Sequence, residues 1–402
     1  MLERHYQSIF AILFLSLTCF SAIVGASEQK TLLTKTNLYE AGKDGYTTYR
    51  IPAIVVTKKG TILIFCAARK DGFGDWSEID ISMRRSVDGG KTWSDPQIIA
   101  DAGKATVDNP APIVDLQTGA IHFLHQVNYA RAYYMRSDDD GLTFSEPVEI
   151  TETFLKFRQE YDWKVIACGP GHGIQLKNGR LLVPIWMSTG GESGKSHRPS
   201  CVSVIYSDDH GKSWDRGEIL INNCERVPNP SETVAVELTD ERVMLNIRNE
   251  SKKYRRLISY SDNGIDNWSE PQFDEGLYGP ICFGSLVRLS EAKNSNKNRL
   301  LFANPDSSAD TATLGLKWPG RLRKNVTVKL SYDEGKTWPV AKSLESGISG
   351  YSDLAVGPDN SIYCFYESGN VYPDNSKIAT KYLTLAKFNL EWLTDGKDSL
   401  DK

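Results

Sequence analysis

The chain has no run of basic residues long enough to follow a nucleic-acid backbone or an anionic membrane surface. It contains 402 residues, and its 47 lysines and arginines against 51 aspartates and glutamates give a net charge of −4. Because both kinds of surface attract proteins through clustered positive charge, this balance argues against nucleic acid and anionic membranes as partners. An anionic ligand must therefore be bound by a local cluster of arginines or lysines.

The sequence also has no low-complexity tract, no linker rich in proline, glycine and serine, and no helical periodicity of any length. Its residues are 40% hydrophobic and 24% charged. This composition excludes a disordered or collagen-like chain and is sufficient for at least one large core. We expect one domain, from about residue 27 to residue 402.

The first 26 residues have the pattern of a targeting segment. Arg4 precedes the apolar stretch Ile9–Val24, and the small residues Gly25 and Ala26 fit cleavage before Ser27. If uncut, the same stretch would form a short N-terminal anchor, although about 16 apolar residues is at the low edge for spanning a bilayer. We favour a cleaved signal peptide, residues 1–26, and export to a periplasmic, extracellular or eukaryotic secretory compartment, with no integral membrane partner.

Cysteine patterns that bind metals are missing, since no CxxC and no Cys/His spacing occurs. Apart from Cys19, six cysteines remain, and an even number permits disulfides in an exported protein. Cys66 and Cys364, however, lie in apolar strand-like runs, where a buried free thiol behaves as a small hydrophobic group. We expect these two in the core, and no metal site is indicated.

A turn followed by an apolar strand-like run recurs six times, beginning at residues 61, 120, 180, 242, 299 and 361. Repeats of about 40 to 60 residues built from short strands are typical of β-propellers, with one four-stranded blade per repeat. We therefore predict an all-β fold, a six-bladed β-propeller of four-stranded antiparallel blades. The C-terminal run TLAKFNLEWL is expected to pair with the N-terminal run TKTNLYEA and close the ring.

A second motif, S-x-D-x-G-x-T-W, follows each of the first five runs. Its chemistry is that of a hairpin turn, in which the aspartate accepts backbone N–H groups, the glycine takes a positive φ and the aromatic residue packs beneath. We expect its role to be structural. The copies of this Asp box begin at Ser86, Ser137, Ser207, Ser261 and Ser331, and the fourth is degenerate.

Three arginines in three different blades lie beside predicted inner strands. Arg50 precedes the run AIVV, Arg248 ends the strand VMLNI, and Arg323 begins the strand NVTVKL. Propellers bind ligands at the mouth of the central channel, where these arginines could converge. The alternative is three solvated surface arginines, and their spacing alone does not decide between the two.

Together with the Asp boxes, several segments resemble the exo-α-sialidases (neuraminidases) of the bacterial and animal type. They are YRIP at 49–52, the segment 231–248, RKNVTVK from 323, and SGYS from 349. The resemblance extends from about Tyr49 to Glu367. It implies hydrolysis of terminal α-linked sialic acid on sialylated glycans and glycoconjugates, with retention of configuration and without a cofactor or a metal.

The resemblance also implies that the substrate carboxylate is bound by three arginines, Arg50, Arg248 and Arg323. A planar guanidinium offers a carboxylate a two-pronged donor, which lysine cannot replace. Tyr351 corresponds to the nucleophile and Glu232 to its base. A neutral phenol suits an anomeric carbon that carries a carboxylate, because an acidic nucleophile would approach against like charge. Glu237 is the competing base, and we prefer Glu232 because the family pattern places the active glutamate before the apolar run.

Asp75, in the loop KDGFGDWSE, corresponds to the family acid/base. Asp71, Glu78 and Asp80 lie near it in the sequence, but Asp80 alternates into the next strand and is expected to be structural. To protonate a leaving oxygen near neutral pH, the Asp75 carboxyl needs a pKa raised from about 3.9. Burial by substrate and by Trp76 is expected to raise it.

Two further residues resemble secondary contacts of the family, Arg69 beside the sugar 4-hydroxyl and Asp108 along the 4-hydroxyl and N-acyl side. The alternative for both is a solvated loop charge. His172 is expected to be a loop residue near the site, without a catalytic role. The sequon at Asn325 begins two residues after Arg323, so a glycan there would crowd the site and we expect Asn325 to be unmodified.

The sequence thus predicts a secreted, metal-independent, retaining exo-α-sialidase that acts as a monomer. A trans-sialidase, or a glycosidase for a related nonulosonic acid, would have the same arginines. A non-catalytic propeller that binds sialoglycans would have lost the nucleophile or the base, whereas Tyr351, Glu232 and Asp75 are all present. The preferred linkage does not follow from the sequence, because contacts to the leaving group come from variable loops.

Overall fold

A computed structural model describes residues 31–310, 321–373 and 379–400. The chain from Thr31 onward forms one compact unit. The predicted signal peptide, residues 1–26, lies outside the described residues. No helix in the described parts of the chain is long and apolar enough to cross a membrane.

The strands form six antiparallel sheets arranged as a six-bladed β-propeller, which confirms the predicted fold class. Contacts between neighbouring blades run around a closed ring, chiefly through the first strand of each blade.

Blade 1 contains β2 (Thr48–Val56), β3 (Ile62–Arg69), β4 (Ile79–Ser86) and β5 (Gln97–Ala100). Blade 2 contains β6 (Val107–Val114), β7 (Ile121–Val127), β8 (Arg131–Ser137) and β9 (Val148–Glu149). Blade 3 contains β10 (Val165–Cys168), β12 (Leu181–Gly190), β13 (Ser196–Ser207) and β14 (Asp215–Arg216), with the short additions β11 (Ile174–Gln175) and β15 (Ile221–Asn222).

The last three blades are regular four-stranded sheets. Blade 4 contains β16 (Thr233–Glu237), β17 (Val243–Ile247), β18 (Arg255–Ser261) and β19 (Gln272–Tyr278). Blade 5 contains β20 (Ser285–Ser290), β21 (Arg299–Pro305), β22 (Val326–Ser331) and β23 (Val340–Ser343). Blade 6 contains β24 (Ser349–Val356), β25 (Ile362–Asn370), β26 (Thr380–Phe388) and the N-terminal strand β1 (Leu33–Glu40).

Blade 6 closes the ring as predicted, because β1 pairs antiparallel with β26 from Leu33 opposite Phe388 to Glu40 opposite Tyr382. The second half of the predicted C-terminal strand is instead a short helix, α2 (Leu390–Leu393), whose first turn is capped by the Asn389 side chain. Two further helical segments are α1 (Thr151–Leu155) and a 3₁₀ turn (Lys156–Gln159).

The Asp boxes form the hairpins between the third and fourth strands of five blades, in the structural role that was predicted. In the first, the Asp88 carboxylate accepts the backbone N–H groups of Lys91 and Thr92, and Gly90 has a φ of +87°. In the degenerate fourth copy, the Asn263 side-chain oxygen accepts backbone N–H groups in place of the aspartate. These turns connect the two outer strands of each blade, whereas the residues that face the channel lie on the inner strands.

Apolar side chains fill the spaces between adjacent blades, as in the stacked pair Phe65 and Phe123, whose ring centroids are 5.1 Å apart. Cys66 and Cys364 lie in this core as buried free thiols, as predicted. The other cysteines of the described chain are also free, so the disulfides that an even count permits do not form there.

Candidate active site

Three first strands are interrupted by bulges at the positions of predicted site residues. A bulge bends its strand and turns a side chain away from the regular alternation. In β2, β6 and β24 it therefore allows Arg50, Asp108 and Tyr351 to leave the strand register. The register shifts lie between Arg50 and Ala53, between Asp108 and Ala111, and between Ser349 and Ser352.

The three predicted arginines converge on one phenol. The Arg248 Nη1 lies 2.8 Å from the Tyr351 hydroxyl, and the guanidinium carbons of Arg50 and Arg323 lie 5.3 and 5.0 Å from the Tyr351 ring centre. The alternative of three solvated surface arginines is therefore wrong. Tyr351 itself is 5% exposed and lies within β24.

Glu232, at the start of blade 4, accepts a hydrogen bond from the Tyr351 hydroxyl and forms an ion pair with Arg248 at 2.5 Å. Burial and the neighbouring Glu232 carboxylate raise the pKa of Tyr351, while Arg248 and Arg323 oppose the rise. The phenol is therefore protonated and faces a carboxylate that can accept its proton. Glu237 lies at the opposite end of β16, where it accepts the Lys177 N–H.

Glu367 is a functional residue that the sequence reasoning missed. Its carboxylate accepts from Arg50 Nε at 3.0 Å and from the backbone N–H groups of Ile51 and Tyr351, both at 3.2 Å. Ile51 has a φ of +57°, an unfavourable value for a β-branched residue, which this carboxylate helps to hold. Glu367 thus fixes two bulges at once. Its signal in the sequence is a lone acid at the end of the apolar run IYCFY.

Gly350 lies against this carboxylate, and a Cβ at this position would collide with Glu367 Oε2. We expect Gly350→Ala to lower kcat/KM for the expected sialoside substrates by about 10²-fold, because displacing Glu367 moves both Arg50 and Tyr351. The control is Gly347→Ala, whose Cβ meets nothing within 4 Å but whose φ of +87° costs stability. Kinetics and melting curves of both variants test this, and unchanged kcat/KM in Gly350→Ala would contradict it.

Asp75, Arg69 and Asp108 form a second group beside Arg50. The Arg69 Nη2 lies 2.9 Å from an Asp75 oxygen and 3.6 Å from an Asp108 oxygen, and Arg50 lies 3.8 Å from Asp75. Arg69 and Asp108 are 0% and 1% exposed, so neither is a solvated loop charge. Tyr129 donates a further hydrogen bond to Asp108 at 3.0 Å.

The rise in the pKa of Asp75 that is expected from substrate burial and Trp76 is not present in the free protein, and the contribution of the substrate stays a prediction. Burial raises it, but the charges of Arg69 and Arg50 outweigh burial and lower the pKa of Asp75 to about 2. The Trp76 ring packs on Tyr129 and His197, with ring centres 5.0 and 4.5 Å apart. Asp75 is therefore ionised until a ligand changes the charges around it.

The remaining acids of the Asp75 loop have structural contacts. Asp71 accepts the Glu78 N–H at 2.8 Å, and Asp80, as predicted, is buried between Lys70 and Tyr46. These contacts leave Asp75 as the carboxylate of this loop that faces the arginines.

Two other predicted residues lie outside the arginine cluster. His172 binds the buried Asp353 at 2.8 Å and lines a cavity of about 420 Å³ together with Glu237, so it does not join the site. The side-chain amide of Asn325 donates a hydrogen bond to Asp310 and accepts one from the Gly347 N–H. The expectation that it carries no glycan stays a prediction.

A protein-family profile described as "BNR repeat-like domain" matches residues 29–364. Among curated proteins, the chain is 29% identical over 392 residues to "Sialidase" of Micromonospora viridifaciens, covering 90% of this chain and 54% of that protein. It is 29% identical to "Sialidase-2" of Cricetulus griseus, covering 84% of this chain and 93% of that protein. The chain thus spans about half the length of its Micromonospora relative.

Solved structures also match the chain. The "Hadza microbial sialidase Hz136" is 27% identical, with a TM-score of 0.74, and the match covers 89% of this chain and 69% of that one. A leech intramolecular trans-sialidase has a TM-score of 0.73 at 18% identity, with 90% and 71% of the two chains covered. The second likeness concerns the fold alone.

Proposed function

We propose, since this chain belongs to the sialidase family with BNR repeats, that it is a retaining exo-α-sialidase. Its substrates would be glycoproteins, glycolipids and oligosaccharides that end in α-linked sialic acid. The observation that carries the proposal is the placement of Tyr351, hydrogen-bonded to Glu232, among three arginines from three blades. That arrangement suits a substrate whose reacting carbon carries a carboxylate.

Charge supports binding of a carboxylate at the arginines. Arg50 is paired with Glu367 and Arg248 with Glu232, whereas Arg323 donates to the carbonyl of Ile281 at 2.8 Å. A substrate carboxylate would supply the counter-charge that Arg323 lacks among its described contacts. Guanidinium groups hold such a ligand through paired hydrogen bonds, which fixes its orientation as well as its position.

In the proposed first step, the Tyr351 oxygen attacks the anomeric carbon while its proton passes to Glu232 Oε1. The glycosidic C–O bond breaks, and Asp75 gives its proton to the departing oxygen. In the second step, Asp75 removes a proton from water, which displaces Tyr351, and the phenolate recovers its proton from Glu232. Two displacements at one carbon give retention.

Asp75 must gain a proton before the first step, although it is ionised in the free protein. A substrate carboxylate beside Arg50 would offset part of the charge that lowers the pKa of Asp75, and the sugar would bury the carboxyl further. Both changes favour the neutral acid. Substrate binding would therefore favour the protonated form of Asp75 that the first step requires.

Asp75→Asn is expected to lower kcat by different factors for substrates with different leaving groups. An alkoxide needs protonation and an aryl oxide does not, so kcat on sialyllactose should fall about 10²-fold more than kcat on a 4-methylumbelliferyl sialoside. Asp71→Asn, in the same loop, is the control. An equal loss on both substrates would contradict the role of Asp75 as the acid.

The proposed function is tested by incubating the mature chain with 4-methylumbelliferyl N-acetylneuraminide, with and without EDTA, and following the product by NMR. We expect turnover that resists EDTA and releases the α-anomer first. Sialyllactose with added lactose distinguishes hydrolysis from transfer. Binding of sialosides without turnover would favour a binding propeller, and loss of turnover with EDTA would contradict the metal-independent mechanism.

We also propose that the chain is exported after cleavage before Ser27, as the N-terminal pattern indicates. N-terminal sequencing of the protein recovered from the native host tests this. A mature protein that begins at Ser27 supports the proposal, and one that retains residues 1–26 contradicts it.

A further inference from the structure

A fourth arginine lies behind the three that face the candidate site. Arg256, on β18, is 1% exposed and makes three hydrogen bonds, none of them to a carboxylate. Its Nε and Nη2 donate to Asn246 Oδ1 at 2.5 Å and to the Asn246 carbonyl at 3.0 Å. Its Nη1 donates to the Cys282 carbonyl at 2.9 Å. Burying a guanidinium without an ionic partner is costly, so its presence here calls for an explanation.

The partners of Arg256 connect two of the site arginines. Asn246, on β17, lies two residues before Arg248, which contacts Tyr351. Cys282 follows Ile281, whose carbonyl accepts from Arg323 Nη2 at 2.8 Å. Ile281 has a φ of +47°, an unfavourable value for a β-branched residue that its surroundings must impose. The Arg256 fork therefore ties β17, which leads directly into Arg248, to the loop that holds Arg323.

Charge gives Arg256 a second effect. The titratable and charged groups that act on it are Glu232, Arg248, Cys282 and Tyr351. They lie at the start of blade 4, directly after β17, in the loop before β20 and on β24. Burial, followed by the charge of Arg248, lowers the pKa of Arg256 to about 9, although Glu232 opposes this. Arg256 still carries its charge at neutral pH. That charge favours a bound anion at the neighbouring arginines.

We infer that Arg256 is a positioning residue of the carboxylate site, which holds Arg248 and Arg323 in register and supplies a buried positive charge behind them that favours a bound carboxylate. The inference rests on the proposed function, because it assumes a substrate carboxylate at these arginines. Arg256 acts through its neighbours and does not itself reach the phenol.

The sharpest test is Asn246→Asp, which keeps the shape of the site and gives Arg256 a carboxylate partner. Asn246 is fully buried, and its Nδ2 has no hydrogen-bond partner among the described residues, so the exchange sacrifices no donor bond. We expect kcat/KM to fall about tenfold, through a higher KM rather than a lower kcat, because the buried charge that favours the substrate carboxylate is compensated. A wild-type KM would overturn the inference.

Two variants of Arg256 separate charge from geometry. Arg256→Lys keeps the charge and loses the fork, so kcat should fall while KM stays close to the wild-type value. Arg256→Met loses both and should also raise KM. The control is Arg299→Met, since Arg299 lies in blade 5, is fully buried and is paired with Asp398. A KM for Arg256→Met that matches the control would reduce Arg256 to a structural role and overturn the inference.

Failure of the proposed function has a different signature. A wild-type chain that does not hydrolyse sialosides contradicts the enzyme assignment and leaves Arg256 testable by binding. The probe is 2-deoxy-2,3-dehydro-N-acetylneuraminic acid, titrated calorimetrically into wild type and Asn246→Asp. We expect about tenfold weaker binding by the variant, and equal affinities would overturn the inference.

Discussion

Replacing Tyr351 with phenylalanine is expected to lower kcat on sialosides by about 10³-fold or more. The change removes only the hydroxyl that donates to Glu232 and accepts from Arg248. The ring keeps its contact with Phe283, at 6.0 Å between centres. Without the phenolic oxygen no covalent bond to the anomeric carbon forms, so residual turnover depends on attack by water in a site that still binds the carboxylate.

The matched control is Tyr366→Phe. Like Tyr351, Tyr366 is a buried tyrosine that donates to a glutamate: it lies on β25 and bonds Glu345 at 2.8 Å. It thus loses a comparable hydrogen bond, a cost of about 1 kcal/mol in stability, away from the arginines. Initial rates on an aryl sialoside, with circular dichroism as a check of folding, compare the two. A wild-type kcat in Tyr351→Phe would mean that another group is the nucleophile.

Arg248→Lys is expected to lower kcat/KM by roughly 10²- to 10³-fold, or about 3 to 4 kcal/mol. Arg248 contacts the Tyr351 hydroxyl at 2.8 Å and Glu232 at 2.5 Å, and one guanidinium can serve both while it binds a substrate carboxylate. An ammonium keeps the charge but lacks the planar fork. The loss should appear in kcat as well as in KM, because Arg248 also orients the nucleophile and its base.

Arg242→Lys is the control for this prediction. Arg242 lies just before β17, at the other end from Arg248, and pairs with Asp240 on the surface. Exposed pairs of this kind contribute about 0 to 1 kcal/mol, so Arg242→Lys should behave as wild type. Separate kcat and KM values for both variants decide the matter. If Arg248→Lys stayed within a few-fold of wild type, a carboxylate site centred on Arg248 would be contradicted.

The fold followed from the sequence because its signals are repeated and local. Six strand-like runs at nearly constant spacing give the blades, and five Asp boxes give hairpins whose geometry depends on a few adjacent residues. The closure of blade 6 was also predictable, because a closed ring requires the first and last strands of the chain, β1 and β26, to pair. The helix at Leu390–Leu393 was missed because its turn is capped by one residue, Asn389, within an apolar run.

The candidate site was predictable only where the resemblance named its residues. That Arg50 and Tyr351 meet depends on bulges in two strands far apart in the chain, and no local pattern carries that information. Glu367 and Arg256 were missed for the same reason, because each acts through side chains and carbonyls of other strands. The lowered pKa of Asp75 results from Arg69 and Arg50 together, and a sequence does not give their distances.

The covalent role of Tyr351 is tested most directly by trapping the intermediate. The mature chain is incubated with 2,3-difluoro-N-acetylneuraminic acid, digested, and its peptides mapped by mass spectrometry. Fluorine beside the anomeric carbon destabilises the positive charge that develops in the second step, so the adduct accumulates. We expect one fluorosialyl group per chain, on the Tyr351 side chain, and none in Tyr351→Phe. An adduct on Glu232, or on any other residue, would contradict the proposed mechanism.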